Sequence, residues 1–240
     1  MEPAAIKAIF FDVFGTVVDW RSSIIREAEQ LGRGLGVVKD WPAFADDWRA
    51  GYHAGMRRVN AGLDDWKTVD QIHRECLEAL CEQYGITGLS EPQLATFNCA
   101  WHRLDPWPDA VDGLKRLKAG YVIAPLSNGN MALLTNLSKF AGLPWDCVLS
   151  SELVGRYKPD PKVYQAAATM LGLEPGEVLM VAAHGSDLRG ATAGGLGTAY
   201  VSRPDELGPQ RPYAPEDSRE FDFHAIDFKN LADQLGRSVP

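Results

Sequence analysis

An aspartate stands at the end of a short apolar run near the start of the chain. Residues 8–11 are apolar, Asp12 follows them, and Gly15 and Thr16 come shortly after. Such a run, bounded by charge and by glycine, is typical of a strand buried on both faces of a parallel sheet. Ligands bind beyond the carboxyl ends of these strands, so Asp12 is placed for chemistry. Asp-x-x-Gly is also ordinary turn chemistry, and this stretch alone leaves both interpretations open.

Polar side chains follow two later apolar runs in the same way. Ser127 and Asn128 come after one, and His184 and Asp187 come after another. Lys158 stands just before a helix that opens with proline. Each group alone has an ordinary structural explanation as a loop or a helix cap. Because the carboxyl ends of parallel strands meet at one edge of a sheet, their combination with the first strand favours a shared site.

Strand and helix patterns alternate in the second half of the chain, which predicts right-handed βαβ units and a parallel sheet. Residues 203–220 are rich in proline and charge and are predicted to form a surface loop. The predicted strands cover residues 121–126, 147–149, 178–182 and 198–201, and the predicted helices cover residues 109–118, 131–140, 161–171, 187–194 and 227–235.

The stretch between the first strand and residue 104 has a helical pattern throughout. Phe44, Trp48, Tyr52 and Met56 recur at steps of four, and Ser22 or Ser23 is the predicted N-cap of the first helix. An insert at this point lies above the carboxyl edge of the sheet, which is the position of a lid. The sequence therefore predicts an α/β fold with a doubly wound core, residues 1–17 and 105–240, and an all-helical cap, residues 18–104.

Composition limits the kinds of partner. The 240 residues carry a formal net charge of −8, which argues against nucleic acid or an anionic membrane surface. We find no apolar segment of membrane-spanning length and no secretory signal, and we expect a cytoplasmic protein. The four cysteines lack the spacing of a metal site or disulfide framework and are predicted to be reduced.

The four polar strand ends resemble the motifs of the haloacid dehalogenase superfamily. That family has an aspartate nucleophile, a Ser/Thr strand end, a lysine and a final acidic strand end. Asp12, Ser127, Lys158 and Asp187 stand at the corresponding places. The resemblance covers nearly the whole chain and implies a Rossmann-like core with a helical cap.

Two departures separate the chain from the phosphatases of this superfamily. Phosphatases carry a second aspartate two positions after the nucleophile, where this chain has Phe14. A phosphate ester needs that acid to protonate its leaving group, whereas a halide leaves without a proton. Phosphatases also hold Mg²⁺ with acids near the last motif strand, where Ala182 and Ala183 stand here. The sequence therefore predicts no metal and no cofactor.

The motif Asp-x-Phe-Gly-Thr, with Ser-Asn and Tyr-Lys-Pro-Asp, is similar to the type II (S)-2-haloacid dehalogenases. That resemblance implies that Asp12 displaces halide from a small anionic halogenated carboxylic acid, giving an ester that water hydrolyses. Lys158 would keep Asp12 ionised, and Asp187 would position or deprotonate the water. Thr16 and Ser127 would hold carboxylate groups by hydrogen bonds.

The same resemblance implies the substrate-binding residues. Arg49, in a Trp-Arg context, would receive the halide or the carboxylate. Asn128 would face the halide, and Tyr164 would lie near the nucleophile. Phe14, Trp20 and Trp41 either form an apolar wall or simply pack inside the cap.

The last motif differs from the serine-rich run of well-known members because it contains His184. We hypothesise that this ring donates a hydrogen bond to a small halide, which favours fluoroacetate-type substrates. Two other functions stay open: a phosphatase or phosphonate hydrolase, and a catalytically silent protein that binds small acids. The resemblance also implies a homodimer.

Overall fold

A computed structural model describes residues 1–212, 216–217 and 219–236 of the chain. The strands in this part are β1 (Ala8–Phe11), β2 (Val18–Asp19), β3 (Asp105–Pro106), β4 (Val122–Ser127), β5 (Leu149–Ser150), β6 (Val178–Ala182), β7 (Gly197–Val201) and β8 (Phe223–Ala225). The α-helices are α1 (Trp20–Leu35), α2 (Trp41–Asn60), α3 (Val69–Gln83), α4 (Glu91–Asn98), α5 (Ala110–Lys118), α6 (Met131–Ala141), α7 (Pro161–Met170), α8 (Gly185–Ala193) and α9 (Phe228–Leu235).

The main sheet has the order β5-β4-β1-β6-β7-β8, and all its strands run parallel. Phe11, the last residue of β1, is level with Pro125 on one side and Val181 on the other. The chain winds outward from β1 to one edge and then returns to build the other. A crevice therefore opens at the carboxyl ends of β1, β4 and β6, which is where ligands bind in such sheets.

The predicted α/β class and doubly wound sheet are confirmed. Every predicted strand and helix of the core has a counterpart, and the strand predicted over residues 178–182 has the bounds of β6. Strand β8 lies next to β7 and was not predicted. Helix α8 begins at Gly185, two residues before the predicted start, so Asp187 lies in its first turn.

Four helices, α1 to α4, form the insert after the first strand. Strands β2 and β3 pair antiparallel where the chain leaves and re-enters the core. The N-cap of α1 is Asp19, whose carboxylate accepts from Ser22 N at 3.0 Å, so the predicted Ser22 or Ser23 cap is wrong. Asp19 is the N-cap because it directly precedes the helix and its carboxylate can accept a hydrogen bond from the first turn. The boundary of the cap at residues 18–104 stays a prediction.

Helix α2 turns its apolar stripe inward. Phe44, Trp48, Tyr52 and Met56 are all buried, as their spacing predicts. Trp48 packs edge-on against Trp101, and its indole N–H donates to His73 O at 2.9 Å. Truncating such a ring costs about 3–5 kcal/mol, so this aromatic cluster holds the cap together.

Hydrogen bonds tie the cap to the loop that follows β4. Asn130 Nδ2 donates to Asp70 Oδ2 at 2.9 Å, and Asp70 N donates to Asn130 Oδ1 at 3.2 Å. His102 bridges Asp70 and Asn136, with both contacts at 2.9 Å. Asp70 lies in cap helix α3, whereas Asn130 and Asn136 lie at the start of α6 and within it. These bonds fix the cap above the strand ends.

The segment after β7 departs from the predicted surface loop. Arg203 and Glu206 are buried. The Arg203 guanidinium makes two hydrogen bonds with Asp109, at 2.8 and 2.9 Å, and its Nε donates to Thr16 O at 2.9 Å. The loop is therefore anchored against the turn after β1. Residues 213–215 and 218 of the predicted loop lie outside the described residues.

Two further predictions concern the whole chain. Cys76, Cys81, Cys99 and Cys147 form no disulfide in the structure, and their reduced state stays a prediction. Within the part of the chain that the structure describes, none of the helices is both long and apolar enough to cross a membrane.

Candidate active site

A cavity of about 350 Å³ lies between helix α2 of the cap and the carboxyl ends of the core strands. Eight of the predicted site residues line it: Asp12, Phe14, Trp20, Arg49, Asn128, Lys158, His184 and Asp187. Thr16, Ser127 and Tyr164 do not line it. Sequence reasoning did not predict the remaining lining residues: Tyr52, His53, Met56, Pro159, Ser186, Glu206 and Leu207.

A buried lysine joins two carboxylates at the floor of this cavity. Lys158 Nζ lies 3.1 Å from Asp12 Oδ1 and 2.6 Å from Asp187 Oδ2. Burial lowers the pKa of Lys158, but the two carboxylates outweigh burial and raise it. Burial likewise raises the pKa of Asp12, yet Lys158 and His184 outweigh it and hold that pKa well below its usual range. Asp12 is therefore an ionised carboxylate at neutral pH.

The second oxygen of Asp12 contacts two other donors. Thr16 Oγ1 lies 2.8 Å from Asp12 Oδ2, and His184 Nδ1 lies 3.0 Å from the same atom. The amide of Ala183 donates to Thr16 Oγ1 at 2.9 Å, so the threonine hydroxyl proton is left to point at Asp12. Residues of β1, its following turn and the end of β6 together fix the carboxylate plane.

Asp187 differs electrostatically from Asp12 although both contact Lys158. Burial is the largest influence on Asp187 and raises its pKa, and the negative charge of Asp12 adds to this effect. Tyr164 donates its hydroxyl to the Asp187 carboxylate and lies 3.0 Å from Asp187 O. A carboxylate with a raised pKa, held by a lysine and a tyrosine, is suited to take a proton from water.

Glu206 brings an unpredicted carboxylate into the site. Its oxygens lie 3.0 and 2.9 Å from His184 Nε2, and Trp20 Nε1 donates to Glu206 Oε1 at 2.9 Å. Burial raises the pKa of Glu206, but His184 and its other partners outweigh burial and lower it. His184 thus bridges Asp12 and Glu206. Burial lowers the pKa of His184, but the two carboxylates more than reverse this and raise it to about 10.

Arg49 is a cationic side chain that helix α2 of the cap contributes to the cavity. Its guanidinium carbon lies 5.5, 5.2 and 4.8 Å from the ring centres of Phe14, Trp20 and Tyr52. Among the described residues, its Nη1 is buried and has no hydrogen-bond partner. A half-buried guanidinium that lines a cavity and has a donor without a hydrogen bond is suited to bind an anion.

Three side chains considered in the sequence analysis lie outside the cavity lining. The Ser127 hydroxyl accepts from Gly129 N at 3.2 Å and forms none of the carboxylate contacts expected of it in the described part of the chain. Tyr164 reaches the site only through Asp187. Trp41 packs edge-on against Phe44 within the cap and does not line the cavity.

Two more expectations change in detail. Asn128 lines the cavity, but its amide oxygen accepts from Lys158 N at 2.8 Å and from Ser151 Oγ at 2.7 Å, so it mainly orients the lysine segment. Both ring nitrogens of His184 face carboxylates. A hydrogen bond from His184 to a halide would therefore require one of these contacts to break, and this role of the ring stays a prediction.

The donors present do not fit the Mg²⁺ ion that phosphatases of this fold use. Lys158 Nζ lies between the two carboxylates that would have to ligate the metal, and the Phe14 side chain has no oxygen to offer. Within the described ranges, no group of three or more His, Cys, Asp or Glu side chains is arranged to hold a metal.

Comparison with known proteins defines the class. Residues 6–195 match the family model of haloacid dehalogenase-like hydrolases. The chain belongs to that family. It is 31% identical over 220 residues to (S)-2-haloacid dehalogenase 4A of Burkholderia cepacia, covering 88% of this chain and 89% of that protein.

Solved structures agree with this assignment. The crystal structure of the defluorinating L-2-haloacid dehalogenase Rha0230 is 43% identical, with a TM-score of 0.93 over 97% of this chain and 96% of that one. The L-2-haloacid dehalogenase from Xanthobacter autotrophicus, solved with chloropropionic acid covalently bound, is 27% identical, with a TM-score of 0.81 over 97% of this chain and 100% of that one. The predicted resemblance to this branch is confirmed.

Proposed function

We propose that this protein hydrolyses short 2-haloalkanoic acids to 2-hydroxy acids through an ester on Asp12. The observation that carries this proposal is that one cavity holds an ionised carboxylate and an arginine whose Nη1 has no hydrogen-bond partner in the described part of the chain. Asp12 is the nucleophile, and Arg49 attracts the anionic substrate that the negative nucleophile alone would repel. The names of the similar proteins support the same reaction.

The first half of the reaction is a displacement at carbon. An Asp12 oxygen attacks the carbon that bears the halogen, a carbon–oxygen bond forms, and the halide leaves with the bonding electrons. Halide is stable as an anion and needs no proton, which agrees with Phe14 at the place of the phosphatase acid. Arg49 is the cation available to the halide or to the substrate carboxylate.

The second half is hydrolysis of the ester. Water attacks the carboxyl carbon of the Asp12 ester, and Asp187, whose pKa burial raises, takes the proton of that water. Lys158, which lies between the side chains of Asp12 and Asp187, keeps both oriented. No step uses a metal, and metal-free turnover is a prediction that a chelator tests.

Isotope labelling distinguishes this mechanism from direct attack of water on the substrate. A single turnover of (S)-2-chloropropionate, with enzyme in excess, is carried out in heavy-oxygen water. The expected lactate carries light oxygen from Asp12, and the heavy oxygen enters the Asp12 peptide. Heavy oxygen in the first lactate formed would rule out the Asp12 ester, and loss of turnover with a chelator would favour a phosphatase-like site.

The preferred halogen, the cellular location and the partners of the protein are separate proposals. The 43% identical neighbour described as defluorinating supports a comparison of fluoride and chloride release from matched acids. If His184→Asn leaves that ratio unchanged, the fluoride role of His184 should be dropped.

A silent acid-binding protein would bind 2-chloropropionate without forming an adduct on Asp12. Cytoplasmic location, a homodimer and the lack of a nucleic-acid partner stay predictions.

A further inference from the structure

The two oxygens of Asp12 are not equivalent. A carboxylate oxygen has two lone-pair sites in its plane. Oδ2 accepts from Thr16 and from His184, so both its sites are engaged. Oδ1 accepts from Lys158, which leaves one site open. The geometry therefore makes Oδ1 the attacking atom and leaves Oδ2 as the carbonyl oxygen of the ester.

The charges in the cavity determine the protonation state of His184. The lining side chains include three carboxylates, Asp12, Asp187 and Glu206, against the cations Lys158 and Arg49. The ring lies between two of these carboxylates, at 3.0 Å from one and 2.9 Å from the other. Each contact needs an N–H on the ring, so His184 is an imidazolium in this arrangement.

We propose that His184 is a catalytic residue of ester hydrolysis, where with Thr16 it stabilises the negative charge that develops on Asp12 Oδ2. This role rests on the proposed function and adds to it. An imidazolium cannot act as the base, which leaves that task to Asp187. Its charge does suit an oxyanion, because a donor already aimed at the atom needs no reorganisation when charge appears there.

Atoms and charges balance through this step. The water oxygen bonds to the Asp12 carboxyl carbon, one water proton moves to Asp187, and the carbonyl electron pair moves to Oδ2. Collapse restores that carbonyl and breaks the bond from the carboxyl carbon to Oδ1. The departing alkoxide takes the proton from Asp187 and becomes the 2-hydroxy acid, with Oδ1 as its hydroxyl oxygen. The second water proton leaves to solvent as Asp12 ionises.

Glu206 acts through His184 and is a positioning residue. Its carboxylate keeps the ring protonated and directs Nδ1 at Asp12, and Trp20 holds the carboxylate in place. Loss of the Glu206 charge should therefore affect the same step as loss of the ring, but by less.

Rapid-quench kinetics with saturating (S)-2-chloropropionate separate the two half-reactions, because chloride reports the first and lactate the second. In His184→Leu we expect a burst of about one chloride per site and lactate formation slowed about 10²- to 10³-fold, as when an oxyanion donor is lost. His184→Asn, which keeps a neutral donor near Nδ1, and Glu206→Gln should lie between this variant and wild type. Mass spectrometry should find the carboxyethyl ester on the Asp12 peptide.

Glu29→Gln is the control for loss of a carboxylate, since Glu29 is exposed and pairs only weakly with Arg33. It should behave as wild type. Equal slowing of chloride and lactate in the His184 variants, with no ester accumulating, would overturn the role of His184 while leaving the dehalogenase proposal intact. If wild type and Glu29→Gln release no chloride at all, the proposed function fails and this role fails with it.

Discussion

The two oxygens of Asp12 face two clusters of different chemistry. On the Oδ1 side, Lys158 joins Asp12 to Asp187 through one ammonium group. On the Oδ2 side, His184 joins Asp12 to Glu206 through a ring with two separate N–H groups. Both clusters place a cation between two buried carboxylates. The clusters differ in whether one of their groups can change its protonation state during the reaction.

The lysine cluster contains the group whose protonation can change. Asp187 has a raised pKa, so it can accept and return a proton beside a lysine that stays charged. In the histidine cluster the carboxylates have lowered pKa values and stay ionised, and the ring keeps its proton. The comparison assigns proton transfer to one side of the nucleophile and charge stabilisation to the other.

Loss of the lysine should have the largest effect. Lys158→Met removes the cation that lies between Asp12 and Asp187, so the pKa of Asp12 will rise, the nucleophile will weaken, and halide release should fall on the order of 10³-fold. Stability should fall by about 3–5 kcal/mol, because a buried ion pair is broken. Lys118→Met, at a half-exposed surface pair with Asp146, should cost at most about 1 kcal/mol. Halide release within tenfold of wild type would contradict this account of the lysine cluster.

Arg49 tests whether the cap side binds the substrate anion. Arg49→Lys loses the planar group that lies over Phe14, Trp20 and Tyr52 and the fork that can hold a carboxylate. We expect KM for 2-chloropropionate to rise about tenfold to hundredfold with a smaller change in kcat. Arg57→Lys, on an exposed part of α2, should leave both parameters unchanged. A fall in kcat alone would place Arg49 outside substrate binding.

A milder substitution, at Trp20, tests the histidine cluster. Trp20→Phe removes the N–H that donates to Glu206 and leaves a ring to pack against Trp101. One such hydrogen bond is worth about 1 kcal/mol, so lactate formation should slow roughly fivefold while the chloride burst persists. Rapid-quench measurement of both products checks this. An effect on the burst instead would connect Trp20 with the first half-reaction.

The last prediction concerns the dependence of stability on pH. The pKa of His184 is 6.5 when unperturbed and about 10 in the folded protein, so above 6.5 the folded state holds a proton that the unfolded state has lost. The contribution of His184 is therefore complete below pH 6.5 and declines as pH rises to about 10. Urea unfolding across this range should show a steeper decline in wild type than in His184→Asn. Parallel curves would mean that the ring is neutral.

The sequence predicted the lysine cluster better than the histidine cluster, for a physical reason. Asp12 and Asp187 follow the apolar segments of β1 and β6, and Lys158 precedes a helix that opens with proline. The direction of the parallel strands brings these places to one edge of the sheet. Glu206 lies in the segment after β7, whose proline and charged residues predict a surface loop rather than a buried site. It stands 186 residues from Trp20 along the chain, and only folding of the loop brings the two together.

The same contrast holds for the fold. Buried strands such as β6 have continuous apolar sequences, whereas β8 is three residues long, only partly buried and contains His224, so no apolar run marks it. The direction of the Ser127 hydroxyl also could not be predicted. A serine at a strand end can turn either to the site or to the adjacent backbone, and here Gly129 N provides the nearer partner.

Gly15 links the first motif to the loop that carries Glu206. Its φ of +87° suits glycine, and a Cβ built at this position would come within 2.1 Å of Glu206 Oε1. Any side chain at position 15 would thus push aside a carboxylate supplied by a distant part of the polypeptide. Gly15→Ala is therefore expected to disturb the contact between Glu206 and His184, although residue 15 does not itself line the cavity.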